Sequence, residues 1–375
     1  MPEAGQDAPG RLAFMRARLN DLLSAYEAAS GVSSDAYSAA PTFHPMAAGK
    51  YISTLVELHH ARLISTVSVE KRTSPVLQSL ASHAVAPPPS IAGLCWGLGF
   101  GRHGLPPDEP YLITSAIVTR ALASLNEVLP GNHLCSELRE AGSMALGDWC
   151  QGWQVPIAGD GAESLPAYSR GIRRPVFNAA AMAWSVLIDF VPQHRAAASA
   201  GLNLLWAQRI PGLGWSYEPG SPVIDMLHQA YLYGSMKSAL AVEAIARDAA
   251  SSIGQFASGD VWIDGLHLVD DVDVPVQGRR MWFRLHPPHR LAVDPRRARL
   301  WSIGELLVLV SEIAAYQALQ NPWLQRAAAI ADMVTNRLAS HDGETCFARH
   351  TMHAAHGLAA YLRLRRALGS SPVLN

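Results

Sequence analysis

The chain has 375 residues, of which 49% are hydrophobic and 16% are charged, and its formal net charge is −1. This balance is typical of a protein with a large buried core and excludes a disordered or highly charged chain. With no overall positive field, nucleic acid is not an expected partner, and the short basic run at 296–299 is more typical of a solvated loop. The composition therefore predicts a globular protein that binds something other than nucleic acid.

The N-terminal region lacks the pattern of a signal peptide. Residues 1–10 are polar and acidic, and residues 11–29 carry charges on every turn. No apolar run approaches the ~20 residues that a membrane-spanning helix needs. The four cysteines show no CxxC spacing, so neither a zinc motif nor a dithiol motif is indicated. These features predict a cytoplasmic protein with no membrane span.

Helical spacing of apolar residues dominates the chain. After two helices near 11–29 and 47–64, a loop with glycine, aromatic residues or proline is repeatedly followed by a long segment rich in alanine and leucine. Five such segments predict inner helices near 111–128, 175–187, 222–237, 302–320 and 349–366. Partner helices are predicted between them near 134–149, 194–208, 238–257 and 323–340. Pro175 and the capping-box pattern Ser302-x-x-Glu305 indicate two of the helix starts.

The irregular spacing of these helical pairs favours a closed ring over a solenoid with a short fixed repeat. We therefore predict an all-α fold, an (α/α) toroid of about six helical hairpins that forms one domain over residues 1–375. Residues 260–300 break the pattern with short alternating apolar runs and several prolines. They predict a loop and β-hairpin insertion over the mouth of the central cavity.

In such a ring the first turns of the inner helices converge at one end. Asp225-x2-His228 lies there, three residues apart on one helical face, just after Tyr217. An aspartate in this position can orient an imidazole for acid/base chemistry. We predict His228 as acid or base, Asp225 as its orienting partner and Tyr217 as a second proton carrier. The alternative is that Asp225 only caps the helix while His228 packs in the interior.

A second polar face is predicted on the last helix, where Arg349, His353 and His356 recur at helical spacing. They are expected to hold an anionic or hydroxylated substrate, with structural histidines as the alternative. A zinc site is disfavoured because Arg349 would repel a cation, and no metal or cofactor is predicted. Aromatic side chains and one amide are expected to complete the substrate-binding surface: Trp96, Phe100, Trp153, Asn178, Trp215 and Trp301. The alternative is that these residues pack in the core.

Acidic residues elsewhere have alternative interpretations. Glu305 is either the capping residue noted above or a catalytic carboxylate. Asp270-Asp271-x-Asp273 is more typical of an exposed acidic turn than of a diphosphate site. The sequence contains no G-x-S-x-G, no P-loop and no credible G-x-G-x-x-G, so nucleotide-driven chemistry and hydride transfer lose support.

Three short segments of the chain carry motifs of a known group of proteins: Cys95-Trp-Gly-Leu-Gly-Phe100, Val176-Phe-Asn178, and Gly214-Trp-Ser-Tyr217 followed by Asp225-x2-His228. In this order they resemble the WGYPF, VxNAN and SWxY…DNFHTG regions of toroid proteins encoded in bacterial exopolysaccharide clusters. The likeness spans roughly 91–361 and implies a toroid cavity and a role in surface-polysaccharide synthesis. It departs at Met226-Leu-His-Gln229, where Asn-Phe-His-Thr is expected, so the pocket is altered.

The architecture is also similar to that of unsaturated-glucuronyl hydrolases and of prenyltransferase and triterpene-cyclase toroids. The cyclases carry a Q-x3-G-x-W repeat, and 208–215 and 255–262 come within one residue of it. In both segments the glycine would end a helix and the tryptophan would cover its last turn.

The leading hypothesis is a carbohydrate-active enzyme or enzyme-like protein of surface-polysaccharide biosynthesis. It would use acid/base chemistry on a small-molecule or oligosaccharide substrate, as a glycoside hydrolase, lyase or epimerase. One alternative is a terpene cyclase-like or prenyl-transferring enzyme, which predicts an almost wholly apolar cavity with acids at its far end. The other is a non-catalytic binding or scaffold toroid. A homodimer and a partner in a biosynthetic complex are left open.

Overall fold

The computed structural model describes residues 9–35, 38–157, 163–211, 213–221, 223–254, 272–276, 279–284, 299–316, 320–340 and 343–370. Twelve α-helices account for most of these residues, and the strands are short. Within these ranges no helix combines the length and the apolar character needed to cross a membrane. The prediction of an all-α fold is confirmed.

Two concentric layers of helices form the molecule. The inner layer consists of α2 (Pro45–His60), α4 (Leu112–Val128), α6 (Phe177–Phe190), α8 (Met226–Met236), α10 (Leu300–Ala314) and α12 (Ala348–Ser370). The outer layer consists of α1 (Pro9–Ala28), α3 (Thr66–Ser82), α5 (His133–Gly152), α7 (Arg195–Ala207), α9 (Val242–Gly254) and α11 (Gln320–Ala339). Each inner helix packs against the next, and α12 closes the ring on α2. The predicted toroid of helical hairpins is confirmed.

The pattern of apolar residues decides which helices lie inside. Nearly every residue of α6 and α10 is buried, because helices in the inner layer touch neighbours on all sides. By contrast, α3 and α5 each bury little more than one stripe and present polar residues to solvent. A helix that is hydrophobic all round therefore becomes a wall of the central cavity.

Glycines allow α10 and α12 to approach each other closely. A Cβ atom placed on Gly304 would lie 2.5 Å from the backbone oxygen of His353. A Cβ atom placed on Gly357 would lie 2.5 Å from the backbone oxygen of Gly304. Real Cβ atoms do not sit so near backbone, so this crossing requires both glycines.

Helix α3 was missed by the sequence analysis. It starts after Ser65, whose hydroxyl accepts a hydrogen bond from the Ser68 backbone N–H at 3.2 Å. Its buried stripe includes Val69 and Leu80. Pro75 lies inside the helix and interrupts the pattern that would otherwise indicate it.

Two predicted helix starts are displaced. The helix assigned to Pro175 begins two residues later, at Phe177. The predicted capping box at Ser302 is wrong, because α10 already begins at Leu300 and Ser302 lies inside its first turn. The side chain of Glu305 pairs with Lys50 rather than with the helix N-terminus.

Short strands connect the helices at the loop ends. They are β1 (Val32–Asp35), β2 (Ser38–Phe43), β3 (Ala84–Val85), β4 (Cys95–Trp96), β5 (Gln154–Pro156), β6 (Ser164–Pro166), β7 (Val223–Asp225), β8 (Val272–Val276) and β9 (Arg279–Arg284). Strand β1 pairs with β2, β3 with β4, β5 with β6 and β8 with β9, each pair antiparallel. Strand β9 also pairs in parallel with β7, which leads into α8.

The predicted insertion at 260–300 thus contains a hairpin of β8 and β9. Its backbone lies beside β7, with Asp225 opposite Arg284 in the register. Most of the remaining insertion, including Asp270 and Asp271 of the acidic run, lies outside the described residues. The placement of the insertion over the cavity mouth stays a prediction.

We expect Gly304→Ala to lower the free energy of unfolding by about 1–3 kcal/mol, because the added methyl group overpacks the α10–α12 crossing. Gly234→Ala is the matched control, since a Cβ there meets nothing within 4 Å. The control should be neutral or stabilising by up to about 1 kcal/mol, as alanine favours helix. Urea unfolding followed by circular dichroism measures both. Equal effects of the two substitutions would contradict the close approach.

Candidate functional site

A cavity of about 230 Å³ lies where the first turns of the inner helices meet. Ligand pockets commonly measure about 300–1,000 Å³, so this one suits a small molecule. Each of the six inner helices contributes its second or third residue to the wall: Met46, Ile113, Asn178, His228, Trp301 and Arg349. Connecting loops add further lining residues, among them Arg102, His103, Tyr168, Arg174 and Tyr217. The convergence expected of first-turn residues is therefore present.

Asp225 and His228 form a closely bonded pair in this wall. One oxygen of Asp225 accepts the His228 backbone N–H at 3.0 Å and so caps α8, while the other accepts the Nδ1–H of the same histidine. The carboxylate is 2% exposed. Asp225 therefore caps the helix and orients the ring at once. Because the carboxylate fixes the proton on Nδ1, Nε2 keeps its lone pair and can accept a proton.

Tyr217 lies edge-on to the imidazole of His228, with ring centroids 4.6 Å apart. Burial, and then the neighbouring Tyr168, raises the pKa of Tyr217 well above its usual range. The phenol therefore keeps its proton at neutral pH and is able to donate it. The three residues predicted to carry proton transfer are brought together at one side of the cavity.

Two side chains that line the cavity each carry a buried polar atom with no hydrogen-bond partner among the described residues. These atoms are Oδ1 of Asn178 and Nε1 of Trp301. The side chains are 4% and 5% exposed. A buried polar group without a partner costs about 1–3 kcal/mol. A ligand hydroxyl that reached either atom would remove part of this cost.

Arg349 is bound by a carboxylate of the protein. Its Nε and Nη2 donate to the two oxygens of Asp35, each at 2.9 Å, and both side chains are almost fully buried. The guanidinium also lies 4.2 Å from the ring centroid of Trp301 and 5.3 Å from that of Phe100. These contacts support a role in positioning Trp301, and give no support to the predicted role of Arg349 in holding an anion.

His353 forms part of the floor below the cavity. Its Nε2 accepts the hydroxyl of Tyr231 at 2.7 Å, and its Nδ1 donates to the backbone oxygen of Arg349 at 2.5 Å. Burial is the main cause that lowers the pKa of His353 to about 3. It is therefore neutral with both nitrogens engaged, and is not among the described lining residues of the cavity.

A second cavity, of about 260 Å³, lies beyond this floor. Tyr231 lines both cavities, whereas Lys50, Glu305 and His356 line only the second. Burial opposes ionisation of Glu305, but Lys50 at 2.5 Å and then His356 hold its pKa below the usual range. Glu305 therefore does not share a cavity with the Asp225–His228 pair.

Four predicted aromatic residues do not line the first cavity. Trp96 and Trp215 are fully buried, and their indole N–H groups donate to the Leu80 and Leu205 backbone oxygens at 2.9 and 2.6 Å. Phe100 is buried, and Trp153 packs beneath Arg173. The core-packing alternative therefore describes their placement.

The indole of Trp215 covers the last turn of α7, as its Q-x3-G-x2-W segment predicts. The second such segment, 255–262, lies outside the described residues. The glycine of the first segment does as well, so its part in ending α7 stays a prediction.

The cavity wall is more polar than the isoprenoid alternative predicts. Arg102, Arg174, Asp225 and His228 all face it, so an almost wholly apolar cavity is not observed. Acids at the far end are present, but Asp189 pairs with Arg120, and Glu312 with Lys237. The structure therefore gives no support to an isoprenoid substrate.

Four lining residues were not predicted from the sequence: Arg102, His103, Tyr168 and Arg174. They lie on loops, where no periodicity indicates which side chains face inward. The one available signal was the turn dipeptide His103-Gly104, which marks a tight reversal next to Arg102.

No protein-family model and no curated protein matches the sequence. Solved structures do match the fold. The cellobiose 2-epimerase from Bacillus thermoamylovorans B4167 matches with a TM-score of 0.57 at 11% identity, over 88% of each chain. A sugar epimerase from a ruminal bacterium gives 0.54 at 11% identity, over 86% of each chain. A reducing end xylose-releasing exo-oligoxylanase gives 0.51 at 14% identity, over 97% of this chain and 94% of that one. These similarities show the toroid fold.

We expect Asp35→Ala to lower the free energy of unfolding by about 3–5 kcal/mol, because it leaves the buried Arg349 charge without its partner. Asp21→Ala is the matched control. Its carboxylate is 69% exposed and lies 3.5 Å from Arg18, so its loss should change stability by less than about 1 kcal/mol. Urea denaturation measures both. A loss in Asp35→Ala no larger than in the control would contradict the assigned pairing.

Proposed function

We propose that this chain is a sugar-acting enzyme that removes a proton from a sugar carbon, as an epimerase or lyase. The observation that carries the proposal is the Asp225–His228 pair in the wall of the central cavity, with Tyr217 against the imidazole. Two of the similar folds are named as sugar epimerases and a third as a xylose-releasing enzyme. That likeness supports a sugar substrate by analogy of fold, while the site supports the chemistry.

Proton transfer fits the site better than hydrolysis. Glycoside hydrolases usually place two carboxyl groups about 5–10 Å apart across the bond that breaks. Among the described lining residues Asp225 is the one carboxylate, and His228 occupies both of its oxygens. Epimerisation and elimination need a base and a proton donor instead, and Nε2 of His228 and the hydroxyl of Tyr217 offer both.

His228 would begin either reaction. Its Nε2 takes the proton from a carbon next to a carbonyl or carboxyl group, and Asp225 stabilises the imidazolium that forms. Tyr217 donates its hydroxyl proton to the oxygen on which negative charge develops. In an elimination the C–O bond at the next carbon then breaks and a C=C bond forms, the imidazolium of His228 protonates the leaving oxygen, and the substrate oxygen returns its proton to Tyr217. In an epimerisation a water molecule gives a proton to the opposite face of the carbon, the imidazolium returns its proton to the water, and the substrate oxygen returns its proton to Tyr217.

Trp301 and Asn178 would bind the sugar itself. Their unpartnered Nε1 and Oδ1 atoms match the accepting and donating capacity of a hydroxyl group. Arg349, clamped by Asp35, keeps the indole of Trp301 in place. A setting in surface-polysaccharide synthesis in the cytoplasm is part of the proposal and depends on the motif resemblance.

We expect His228→Gln to reduce turnover by about 10²–10⁴-fold with an unchanged fold, because it removes the base. His60→Gln, at the exposed end of α2, is the control and should leave turnover unchanged. The assay follows reducing disaccharides and uronate-containing oligosaccharides by NMR. Undiminished turnover in His228→Gln would disprove the assignment. Binding of these sugars by the wild-type protein without any turnover would favour a non-catalytic toroid.

Asp225→Asn separates the two roles of the aspartate. Asparagine is an equally good helix cap, so the free energy of unfolding should change by less than about 1 kcal/mol. The charge that orients and stabilises the imidazole is lost, so turnover should still fall by at least about tenfold. Similar turnover in Asp225→Asn and wild type would show that the aspartate only caps the helix and has no role in the reaction.

A further inference from the structure

Two arginines of the connecting loops, Arg102 and Arg174, line the mouth of the central cavity. The third arginine of the lining, Arg349, is neutralised by the buried carboxylate of Asp35. Arg174 pairs with the partly exposed Glu218, and Nε of Arg102 donates to Nε2 of His103 at 3.1 Å. A ligand that enters the cavity therefore meets two guanidinium groups at its mouth.

Arg102 is held on a tight turn. Its backbone N–H and C=O bond those of Leu105 at 3.1 and 2.9 Å, which closes a two-residue hairpin loop. The two residues between them, His103 and Gly104, have φ values of 54° and 76°. Positive φ at both central positions is typical of a type I′ turn. The position of Arg102 above the cavity is therefore set by the backbone.

Arg174 is held on a neighbouring loop. The Tyr168 N–H donates to the Arg174 backbone oxygen at 2.9 Å, and the hydroxyl of Ser169 accepts the Ile172 N–H at 2.9 Å. Ser169 is fully buried, so this reversal is anchored in the protein.

Glu109 ties the two loops together. It is 2% exposed, follows the Arg102 turn in the chain, and accepts the Gly171 backbone N–H and Nη2 of Arg170 from the other loop. The two arginines are thus presented on linked, preorganised loops, which lowers the entropy lost when a ligand binds both.

Both arginines act on the titration of two other residues that line the same cavity, His103 and Tyr217. Burial, and then the positive charges of Arg102 and Arg174, lower the pKa of His103. The same two arginines act on the hydroxyl of Tyr217. Arg174 also contacts Glu218 at 3.0 Å, and both side chains are partly exposed, so that pair is weak and a ligand anion can compete for it.

We propose that the substrate is an anionic sugar whose carboxylate or phosphate is bound by Arg102 and Arg174 at the cavity mouth. This inference depends on the proposed function for the sugar, and extends it by naming the charge. Guanidinium groups bind carboxylate and phosphate oxygens through paired, charge-assisted hydrogen bonds. If the group is a carboxylate, its two arginines also stabilise the charge that develops when His228 deprotonates the adjacent carbon.

Binding of three probes tests the proposal: glucuronate, glucose 6-phosphate and glucose, titrated by calorimetry into wild-type protein. At least one anion should bind about tenfold or more tightly than glucose, and its affinity should fall as salt is raised. The anion that binds identifies carboxylate or phosphate as the recognised group. Equal affinity for all three probes, or no detectable binding of either anion, overturns the proposal.

Arg102→Ala and Arg174→Ala should each weaken binding of the preferred anion about tenfold and change glucose binding less than about twofold. Arg173→Ala is the matched control, because this arginine shares the loop of Arg174 but packs over Trp153. It should leave all three affinities unchanged. An equal loss for the anion and for glucose overturns the proposal.

The readouts separate this inference from the proposed function. Anion preference that depends on the two arginines, together with undiminished turnover in His228→Gln, overturns the proposed chemistry alone. Turnover that depends on His228, with no preference for an anion, overturns the anion site alone.

Discussion

The structure depends on the closure of six inner helices into a ring, completed where α12 packs against α2. Closure makes the first turns of all six helices neighbours, although they are far apart in the chain. Gly304 and Gly357 allow the close crossing of α10 and α12. The buried ion pair between Arg349 and Asp35 joins α12 to the β-hairpin of β1 and β2. The site is thus a consequence of packing between helices and not of any local motif.

The interior of the ring is divided by a floor of paired side chains. Tyr231 and His353 bond each other there, and Glu305 with Lys50 lies on the other side. The upper cavity carries the imidazole of His228 oriented by Asp225, the protonated phenol of Tyr217, and arginines on its rim. In the lower cavity the carboxylates are paired with cations, so the chemistry we propose belongs to the upper one.

The sequence predicted what periodicity and spacing encode. The helical hairpins, the ring and the Asp225–His228 pair followed from apolar repeats and a three-residue spacing. Aromatic side chains were harder to place, because a tryptophan in a hydrophobic core and one at a cavity wall occur in similar sequence patterns. Trp96 and Trp215 both lie in the core. Arg102 and Arg174 were not predicted, because loops have no periodic pattern that indicates which side chains face inward. The carboxylate partner of Arg349 was not predicted either, because Asp35 is 314 residues away in the chain. Such pairings arise only from the tertiary fold.

One measurement addresses the central claim, that His228 moves a proton from a sugar carbon. The protein is incubated in D2O with a sugar that it turns over, and the carbon-bound protons are followed by NMR. We expect loss of the proton next to the carbonyl or carboxyl group in step with turnover, and retention of that proton with His228→Gln. Turnover by the wild-type protein in which every carbon-bound proton stays in place would contradict it.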